Sequence, residues 1–292
     1  MDPSSSTAGP SLDGNGDDMM AIKFTTVEKF WDQIKRTTNK DILIFQDVSC
    51  QDFADLEKSR ELRRRRIRFR RYYARSRILI VVIPLSPHEI LHTQIYDECR
   101  HEIDQMGLRY HWLNQGAATH RPQGRPNRGD GGEGDSSGGP KQRRAGGGWP
   151  TLVVEAGNTQ TMEQLRRDMR WWFAASTNHQ VKIVLLAKLD RTRRRIILEK
   201  WVVETRGQGR PGATTTRAAA VLQPPFCSQT ITITWAPGMD NTPTSHTVTR
   251  GALRLEFELM FLRPPSNPGE HDIIISIPKL QIYAVDVWNE VV

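Results

Sequence analysis

The chain contains few cysteines and no long apolar run. Its 292 residues include three cysteines, Cys50, Cys99 and Cys227, which are far apart and odd in number. This usage suits a reducing compartment and provides no pair with metal-ligand spacing. No apolar run approaches the length of a membrane span, and the N-terminus lacks a signal-peptide core. We therefore expect an intracellular protein of the nucleus or cytoplasm that is neither secreted nor inserted in a membrane.

Hydrophobic residues are also scarce, at 37% of the chain. This fraction lies below the average of globular proteins, so part of the chain is expected to remain outside any core. Basic residues outnumber acidic ones, 41 against 33, which gives a net charge of +8. The excess comes from clusters of arginine and favours a polyanionic partner.

Composition along the chain predicts its domain organisation. Residues 1–20 are predicted to form a disordered tail, and residues 21–206 a single α/β domain. Within this domain, residues 116–148 hold eleven glycines and are predicted to be a mobile insertion. Residues 207–225 are predicted to be a linker. Alternating apolar and polar residues within 226–292 predict a C-terminal extension of strands that packs on the domain.

The clearest secondary-structure pattern lies between residues 148 and 190. The apolar run at residues 152–154 predicts a buried strand that ends at Glu155. Apolar residues at three- and four-residue spacing then predict an amphipathic helix, and residues 181–189 predict a second strand. In open α/β sheets, sites are built where strands end, so Glu155 is a candidate site residue.

Ten arginines lie between residues 60 and 77, and the stretch 56–77 is predicted to be one helix. Acidic residues are nearly absent from this stretch after Glu61, so its like charges repel unless an anion screens them. A nucleic-acid backbone is such an anion, and Tyr72 and Tyr73 could stack on bases. Nuclear targeting by the same run is compatible with this hypothesis, and a solvated charged face is the alternative. The predicted nucleic-acid-binding residues are Arg63, Arg64, Arg66, Arg68, Arg70, Arg71 and Arg75.

Another helix is predicted to begin at residue 86, where the sequence SPHE places Ser at the N-cap, Pro at N1 and Glu at N3. The same segment contains H-E-x-x-H at residues 88–92, the pattern of zinc hydrolases in which two histidines bind zinc and Glu89 acts as the base. Capping already explains Glu89, and no Gly-x-x-His follows the motif. His101 or Glu102 would have to supply a third zinc ligand.

The pattern WPTLVVEAG at residues 149–157, followed by Leu165, Asp168 and Trp172, resembles a group of uncharacterised fungal proteins. These in turn are similar to the Uma-type endonucleases of the PD-(D/E)xK, restriction-endonuclease-like superfamily. The SPHE helix start matches the first helix of the group, and GDSS at residues 134–137 stands where the group usually has Glu-Pro-Asp-Ser. The resemblance implies a restriction-endonuclease-like α/β fold with a mixed central sheet flanked by helices.

The resemblance also implies a Mg²⁺-dependent phosphodiester hydrolase that binds DNA. Asp135 and Glu155 would hold the ion as paired carboxylates, and Glu89 or Glu98 would add a third oxygen ligand. The alternatives are that Asp135 is a turn residue and that Glu155 forms a salt bridge with a nearby arginine.

The chain departs from the superfamily's Glu-x-Lys, which here is Glu155-Ala156-Gly157, and Gly134 replaces the proline before the first Asp. Relatives sometimes recruit a replacement for the lysine from the following helix. Arg166, Arg167 and Arg170 are candidates that can stabilise negative charge but cannot act as a general base. Three hypotheses therefore stay open: a Mg²⁺-dependent nuclease, a catalytically inactive pseudo-nuclease that binds nucleic acid or protein, and a zinc hydrolase.

Overall fold

The computed structural model describes residues 21–38, 42–63, 67–116, 118–122, 129–141, 148–176, 180–203 and 224–291. They belong to two compact units. Unit 1 comprises Met1–Leu85 and Ala117–Gly134, and unit 2 comprises Ser86–Gly116 and Asp135–Val292. The predicted tail and residues 207–223 of the predicted linker lie outside the described residues.

Helices and strands are interspersed along the chain. The strands are β1 (Ile22–Lys23), β2 (Ile42–Gln46), β3 (Arg68–Tyr73), β4 (Ile78–Val82), β5 (Trp112–Asn114), β6 (Gly131–Gly132), β7 (Ser136–Pro140), β8 (Leu152–Gly157), β9 (Ile183–Asp190), β10 (Arg195–Val202), β11 (Phe226–Trp235), β12 (His246–Thr249), β13 (Leu253–Leu255) and β14 (Ile273–Ile275). The helices are α1 (Val27–Arg36), α2 (Cys50–Arg63), α3 (Ser86–Gln105), α4 (Met162–Ala175), α5 (Phe257–Phe261) and α6 (Ile277–Asn289).

Unit 1 is built on a five-stranded sheet with the order β1-β2-β4-β3-β6. β1 runs parallel to β2, and the other neighbouring strands are antiparallel. Helix α1 begins where the side chain of Thr26 accepts a hydrogen bond from Lys29 N, and it buries Phe30 and Trp31. Helix α2 adds Phe53 and Leu56 to the same aromatic-rich core.

The helix predicted over residues 56–77 is confirmed only as far as Arg63, and the rest of the prediction is wrong. α2 ends at Arg63, and the chain then forms the antiparallel pair β3 and β4. Arg70 and Arg71 are fully buried in β3, so they do not share an exposed helical side with the other arginines. The aromatic and β-branched residues of this stretch favour a strand. Pairing of β3 with β4 and β6 stabilises that strand, so the helical spacing of the arginines does not decide the structure.

Unit 2 is built on a seven-stranded mixed sheet with the order β12-β11-β10-β9-β8-β7-β5. β8 and β9 are parallel, and every other neighbouring pair is antiparallel. Val154 and Ala156 of β8 share a core with α3, whereas the alternate residues Glu155 and Gly157 meet α4. The two helices therefore cover opposite faces of β8. The predicted α/β fold, with a mixed sheet flanked by helices, is confirmed.

The C-terminal region carries strands, as predicted, but part of it is helical. β11, β12, β13 and β14 lie in this region, and β13 pairs with β14 in a separate two-stranded antiparallel sheet. The strands predicted within 226–292 do not fill the region, because β14 ends at Ile275 and α6 follows it. Ser276 caps α6 and a proline occupies its first turn, so two local signals begin a helix within an alternating stretch.

The predicted mobile insertion over residues 116–148 is also wrong for the part that the structure describes. Residues 136–140 form the buried strand β7, which lies between β5 and β8 in the sheet of unit 2. Residues 123–128 and 142–147 lie outside the described residues. Among the helices of the described ranges, none has the length and apolar character needed to cross a membrane.

Candidate metal centre

The glycines of β7 permit close packing at the strand that positions Asp135. A Cβ atom on Gly138 would lie 2.6 Å from Nε1 of Trp112. That nitrogen donates a hydrogen bond to the hydroxyl of Tyr96, which in turn donates to the carbonyl of Ser137. Two aromatic side chains therefore press directly on the backbone of β7. The glycines predicted a loop, but their role here is to let a strand approach its neighbours.

His88, His92 and Asp135 form a buried cluster beside the start of β7. One ligand atom from each lies within 4.8 Å of the others, and all three residues are buried. Nε2 of His88 lies 3.1 Å from Oδ1 of Asp135. The two histidines are one turn apart on α3, so their rings project from the same side of the helix. This spacing and the position of Asp135 make the cluster a candidate metal centre.

Neighbouring groups orient each member of the cluster. The second oxygen of Asp135, Oδ2, accepts a hydrogen bond from the backbone N of Ala156 at 2.8 Å. Nδ1 of His92 lies 2.8 Å from the hydroxyl of Ser136, and Nε2 lies 3.2 Å from the carboxylate of Glu89. Such outer contacts set ring orientation and tautomer in metal sites.

Glu155 stands on β8, beside the amide that binds Asp135. It is fully buried, and its carboxylate accepts a hydrogen bond from Nε1 of Trp172 on α4. Because side chains alternate along a strand, Glu155 points toward α4, whereas the histidines come from α3. The structure thus brings Asp135 and Glu155 to adjacent strands. The cluster of ligand atoms itself consists of Asp135 and the two histidines.

The helix after Glu155 is fixed by a capping box. The side chain of Thr161 accepts from Gln164 N, and the side chain of Gln164 accepts from Thr161 N. This start orients α4 so that Asp168 and Trp172 are buried against the sheet. Both residues were singled out by the resemblance, and both lie on the buried side of α4.

The position of the missing lysine is filled by another side chain. A Cβ atom on Gly157 would lie 2.8 Å from Cδ1 of Leu165. A lysine at this position would therefore collide with α4. The packing of Leu165 on β8 therefore leaves no room for the lysine of the Glu-x-Lys motif at residue 157.

The arginines proposed as its replacement bind acidic groups of their own. Arg166 donates two hydrogen bonds to the carboxylate of Glu199 on β10, and these bonds raise the pKa of its guanidinium. Arg170 donates to Glu163 on the same helix, and Arg167 is exposed. A lysine that the sequence did not single out, Lys188 on β9, is the strand partner of Gly157. Its Nζ donates to the carbonyl oxygen of Asn158 at 2.7 Å.

The other candidate ligands on α3 lie outside the cluster. His101 is exposed, and Glu98 and Glu102 both bind Lys279. Glu89 contacts His92, and its side chain is 36% exposed. The third donor beside the two histidines is thus Asp135, which lies more than forty residues away in sequence. The sequence signalled the histidine pair through the H-E-x-x-H pattern and Asp135 through the resemblance, but not that the three residues meet.

The donor set indicates which ions fit. Two imidazoles and one carboxylate match catalytic zinc sites and suit other transition-metal ions such as Mn²⁺ or Fe²⁺. Mg²⁺ prefers oxygen ligands and is usually bound through carboxylates, water and phosphate. The His/Asp cluster therefore fits a divalent transition-metal ion better than Mg²⁺.

The arginines predicted to bind nucleic acid occupy several environments in unit 1. Arg63 ends α2, where its guanidinium lies over the ring of Trp31, and Arg68 begins β3. Arg70 and Arg71 are buried, while Arg75 is exposed in the turn after β3. Arg64 and Arg66 lie outside the described residues. Tyr72 is buried and stacks on Phe53, so it cannot stack on a base.

Comparison with known proteins supplies no argument about this chain. No family model matches the chain, and no curated protein matches it. The structure is similar to the crystal structure of a "putative nuclease belonging to DUF820" from Anabaena variabilis, with 9% sequence identity and a TM-score of 0.40. The match covers 81% of this chain and 99% of that chain. At this level of likeness the comparison carries no argument about function, which has to come from the site.

Proposed function

We propose that this chain is a divalent-metal-dependent nuclease-like protein whose ion is held by His88, His92 and Asp135. The observation that carries the proposal is the convergence of these three buried donors beside the start of β7, in a mixed α/β sheet. The resemblance supplied Asp135, and the H-E-x-x-H pattern supplied the histidines. In three dimensions the two signals describe one site.

Each residue then has a defined part. His88 and His92 supply one ring nitrogen each, and Asp135 supplies the oxygen nearest His88. The backbone amide of Ala156 keeps the other Asp135 oxygen in place. Glu155, the second carboxylate that the resemblance implied, faces α4 and lies outside this ligand set. A bound divalent ion in such a site stabilises charge on a phosphate and lowers the pKa of its bound water.

The alternative of a catalytically inactive nuclease-like protein is supported by the packing at Gly157. Because Leu165 occupies the place of the missing lysine, this chain would need another cation for charge stabilisation. Lys188 is the nearest candidate by strand register. A zinc hydrolase of the H-E-x-x-H type is less well supported, because Glu89 contacts His92 and would have to move to act as the base.

Nicking of supercoiled plasmid tests the proposal. The purified protein is treated with chelator and supplied with Mn²⁺, Zn²⁺ or Mg²⁺ in turn. We expect nicking with Mn²⁺ or Zn²⁺ to exceed nicking with Mg²⁺, and a loss of about 100-fold or more in Asp135→Asn and His92→Gln, because each removes a ligand of the ion. The control is His101→Gln, which changes an exposed histidine of the same helix.

Two results would contradict the proposal. Equal nicking by Asp135→Asn and wild type would show that the cluster does not take part. Stoichiometric metal binding without nicking in any ion would leave the inactive alternative. A separate comparison concerns the missing lysine: loss of nicking in Lys188→Gln would identify Lys188 as the replacement cation.

A further inference from the structure

The turn between β9 and β10 carries the densest positive charge of unit 2 in the described part of the chain. Residues 190–195 read Asp-Arg-Thr-Arg-Arg-Arg, with four arginines and one aspartate, so the net charge of the turn is 4 − 1 = +3. We call these six residues the basic hairpin. Arg191 and Arg193 are exposed, and the side chain of Arg193 is 71% exposed.

The basic hairpin is held in one conformation. Asp190 and Arg195 are paired at its base, and Arg194 N donates to Arg191 O across the turn. The guanidinium of Arg194 lies 3.7 Å above the ring of Trp235 on β11, which is a cation–π contact. Two of the four arginines therefore serve the turn itself, since Arg195 binds Asp190. Arg191 also donates to the side chain of Asn158, and the guanidinium of Arg193 lies 3.6 Å from the carboxylate of Asp190, but both arginines are exposed and can face a ligand.

Asp190 stays ionised under these contacts. Burial raises the pKa of its carboxyl, but the backbone N of Arg193 and the side chain of Arg195 donate hydrogen bonds to it, and the net result is a lowered pKa. This single negative charge holds the base of the turn together. It leaves an excess of positive charge at the tip.

The basic hairpin and the metal centre both lie at the end of the sheet where β8 ends and β7 begins. Asn158 follows β8 directly, and it binds both Arg191 through its side chain and Lys188 through its carbonyl. Glu155 pairs with Leu186, so the hairpin, which starts at Asp190, begins four strand residues beyond the level of Glu155. At a rise of about 3.3 Å per residue this offset is about 13 Å along the strand direction.

We propose that the basic hairpin, through Arg191 and Arg193, binds the phosphate backbone of a nucleic acid and leads it to the metal centre. The inference rests on the proposed function and adds the surface that holds the substrate. Exposed like charges in a rigid turn repel one another unless an anion lies between them. A strand of phosphates supplies such anions along its length. The binding surface is therefore assigned to unit 2 rather than to the arginines of residues 63–75.

Binding of a labelled duplex oligonucleotide in chelator tests this inference without cleavage. Wild type is compared with Arg191→Gln/Arg193→Gln and with the control Arg109→Gln/Arg250→Gln, which removes the same charge from exposed positions outside the hairpin. We expect the hairpin variant to bind about tenfold more weakly or worse. The slope of log K against log salt should fall in magnitude by about two, and the control should change little.

The outcomes separate the hairpin from the metal centre. Because the assay is run in chelator, the difference between wild type and the hairpin variant reports the hairpin and not the ion. Equal affinity of the hairpin variant and wild type overturns the inference, as does equal weakening in the control variant. Binding of wild type to anionic vesicles or heparin but not to the duplex also overturns it. Hairpin-dependent binding without nicking in any metal supports this surface and contradicts the proposed catalysis.

Discussion

At the scale of single residues, the small side chains around the candidate centre matter as much as the charged ones. Gly138 lets Tyr96 and Trp112 reach the backbone of β7, and Gly157 lets Leu165 reach β8. Both positions have close neighbours that a methyl group would meet. The two glycines therefore set how closely β7 and β8 pack against their neighbours.

The contact between Gly157 and Leu165 gives a prediction about stability. In an open strand position Gly→Ala stabilises by about 0.4–1 kcal/mol through the unfolded state. Here the overpacking of Leu165 costs about 1–3 kcal/mol, so Gly157→Ala should destabilise the protein. Urea unfolding measures the change, and the control is Gly131→Ala, whose Cβ would meet its neighbours at 3.5 Å or more.

A double-mutant cycle checks the cause. Leu165→Ala alone should cost about 2–5 kcal/mol, because it opens a cavity in a buried site. Gly157→Ala in that background should then cost less than in wild type. Strict additivity of the two changes would show that the proposed collision does not exist.

Glu270 gives a prediction about pH. Hydrogen bonds from Arg263, followed by those from Ser266, lower the pKa of this carboxyl to about 2. Since the folded pKa lies below the unfolded one, the ionised carboxylate stabilises the fold above the unfolded value of 4.5. That stabilisation is lost progressively as the pH falls from 4.5 to about 2.

Thermal unfolding of Glu270→Gln should therefore show a pH-dependent difference from wild type. We expect a lower Tm than wild type near neutral pH, and convergence of the two values as the pH approaches about 2. A difference in Tm that stays constant over this range would mean that ionisation of Glu270 does not contribute.

At the scale of elements, caps decided where helices begin. Thr161 with Gln164 starts α4, and Ser276 starts α6. The α6 stretch alternates apolar and polar residues at first sight, yet its buried residues Leu280, Tyr283 and Val287 follow helical spacing. The N-cap and the helical spacing together identify α6. The apolar-polar alternation alone predicted a strand there.

The cap of α6 can be tested by substitution. Ser276→Ala removes the oxygen that accepts from Lys279 N, so we expect a loss of about 1 kcal/mol in the free energy of unfolding. Ser276→Asp keeps an acceptor at the cap and should retain most of the stability. Equal losses in the two variants would indicate that Ser276 acts through packing rather than capping.

The arginine-rich stretch shows the same competition between elements. Its prediction as a helix relied on arginine spacing, whereas the structure places it in α2 and β3. The acidic partner that the local sequence lacks comes from elsewhere in unit 1. Glu133 accepts hydrogen bonds from Arg60 and from Phe69 N. These contacts join residues that are far apart in the chain, so no short window of sequence contains both partners.

At the scale of the whole molecule, the candidate metal centre links binding to stability. Its donors come from α3 and from the residue before β7, which only the folded chain brings together. An ion that binds the folded state stabilises it by about 2.7 kcal/mol when its concentration is 100 times its Kd. The unfolded chain offers the same side chains without their geometry.

We therefore expect Mn²⁺ or Zn²⁺ to raise the Tm of the chelator-treated protein by several degrees, and by more than Mg²⁺ does. His92→Ala should abolish the rise, because it removes a donor of the cluster. His101→Ala should retain it, because that histidine is exposed and outside the cluster. Calorimetric scans at matched ion concentrations measure all three, and an equal rise in His92→Ala would exclude the cluster as the binding site.

Local patterns in the sequence determined the parts of this protein that depend on neighbours in the chain. The strand ending at Glu155, the amphipathic helix after it and the helix that begins at Ser86 all follow from composition, capping and period over short windows. The mixed α/β class followed from the same elements. The two histidines of α3 were also visible, since a spacing of four places them on one face.

Only the tertiary structure decided which distant residues meet. The register of β7 against β8, which pairs Ser136 with Val154, sets Asp135 beside Ala156 and next to the histidines. It also turned a glycine-rich stretch into a buried strand and placed a basic hairpin at the same end of the sheet. Register and long-range packing depend on the summed fit of many side chains, so no short window of sequence specifies them.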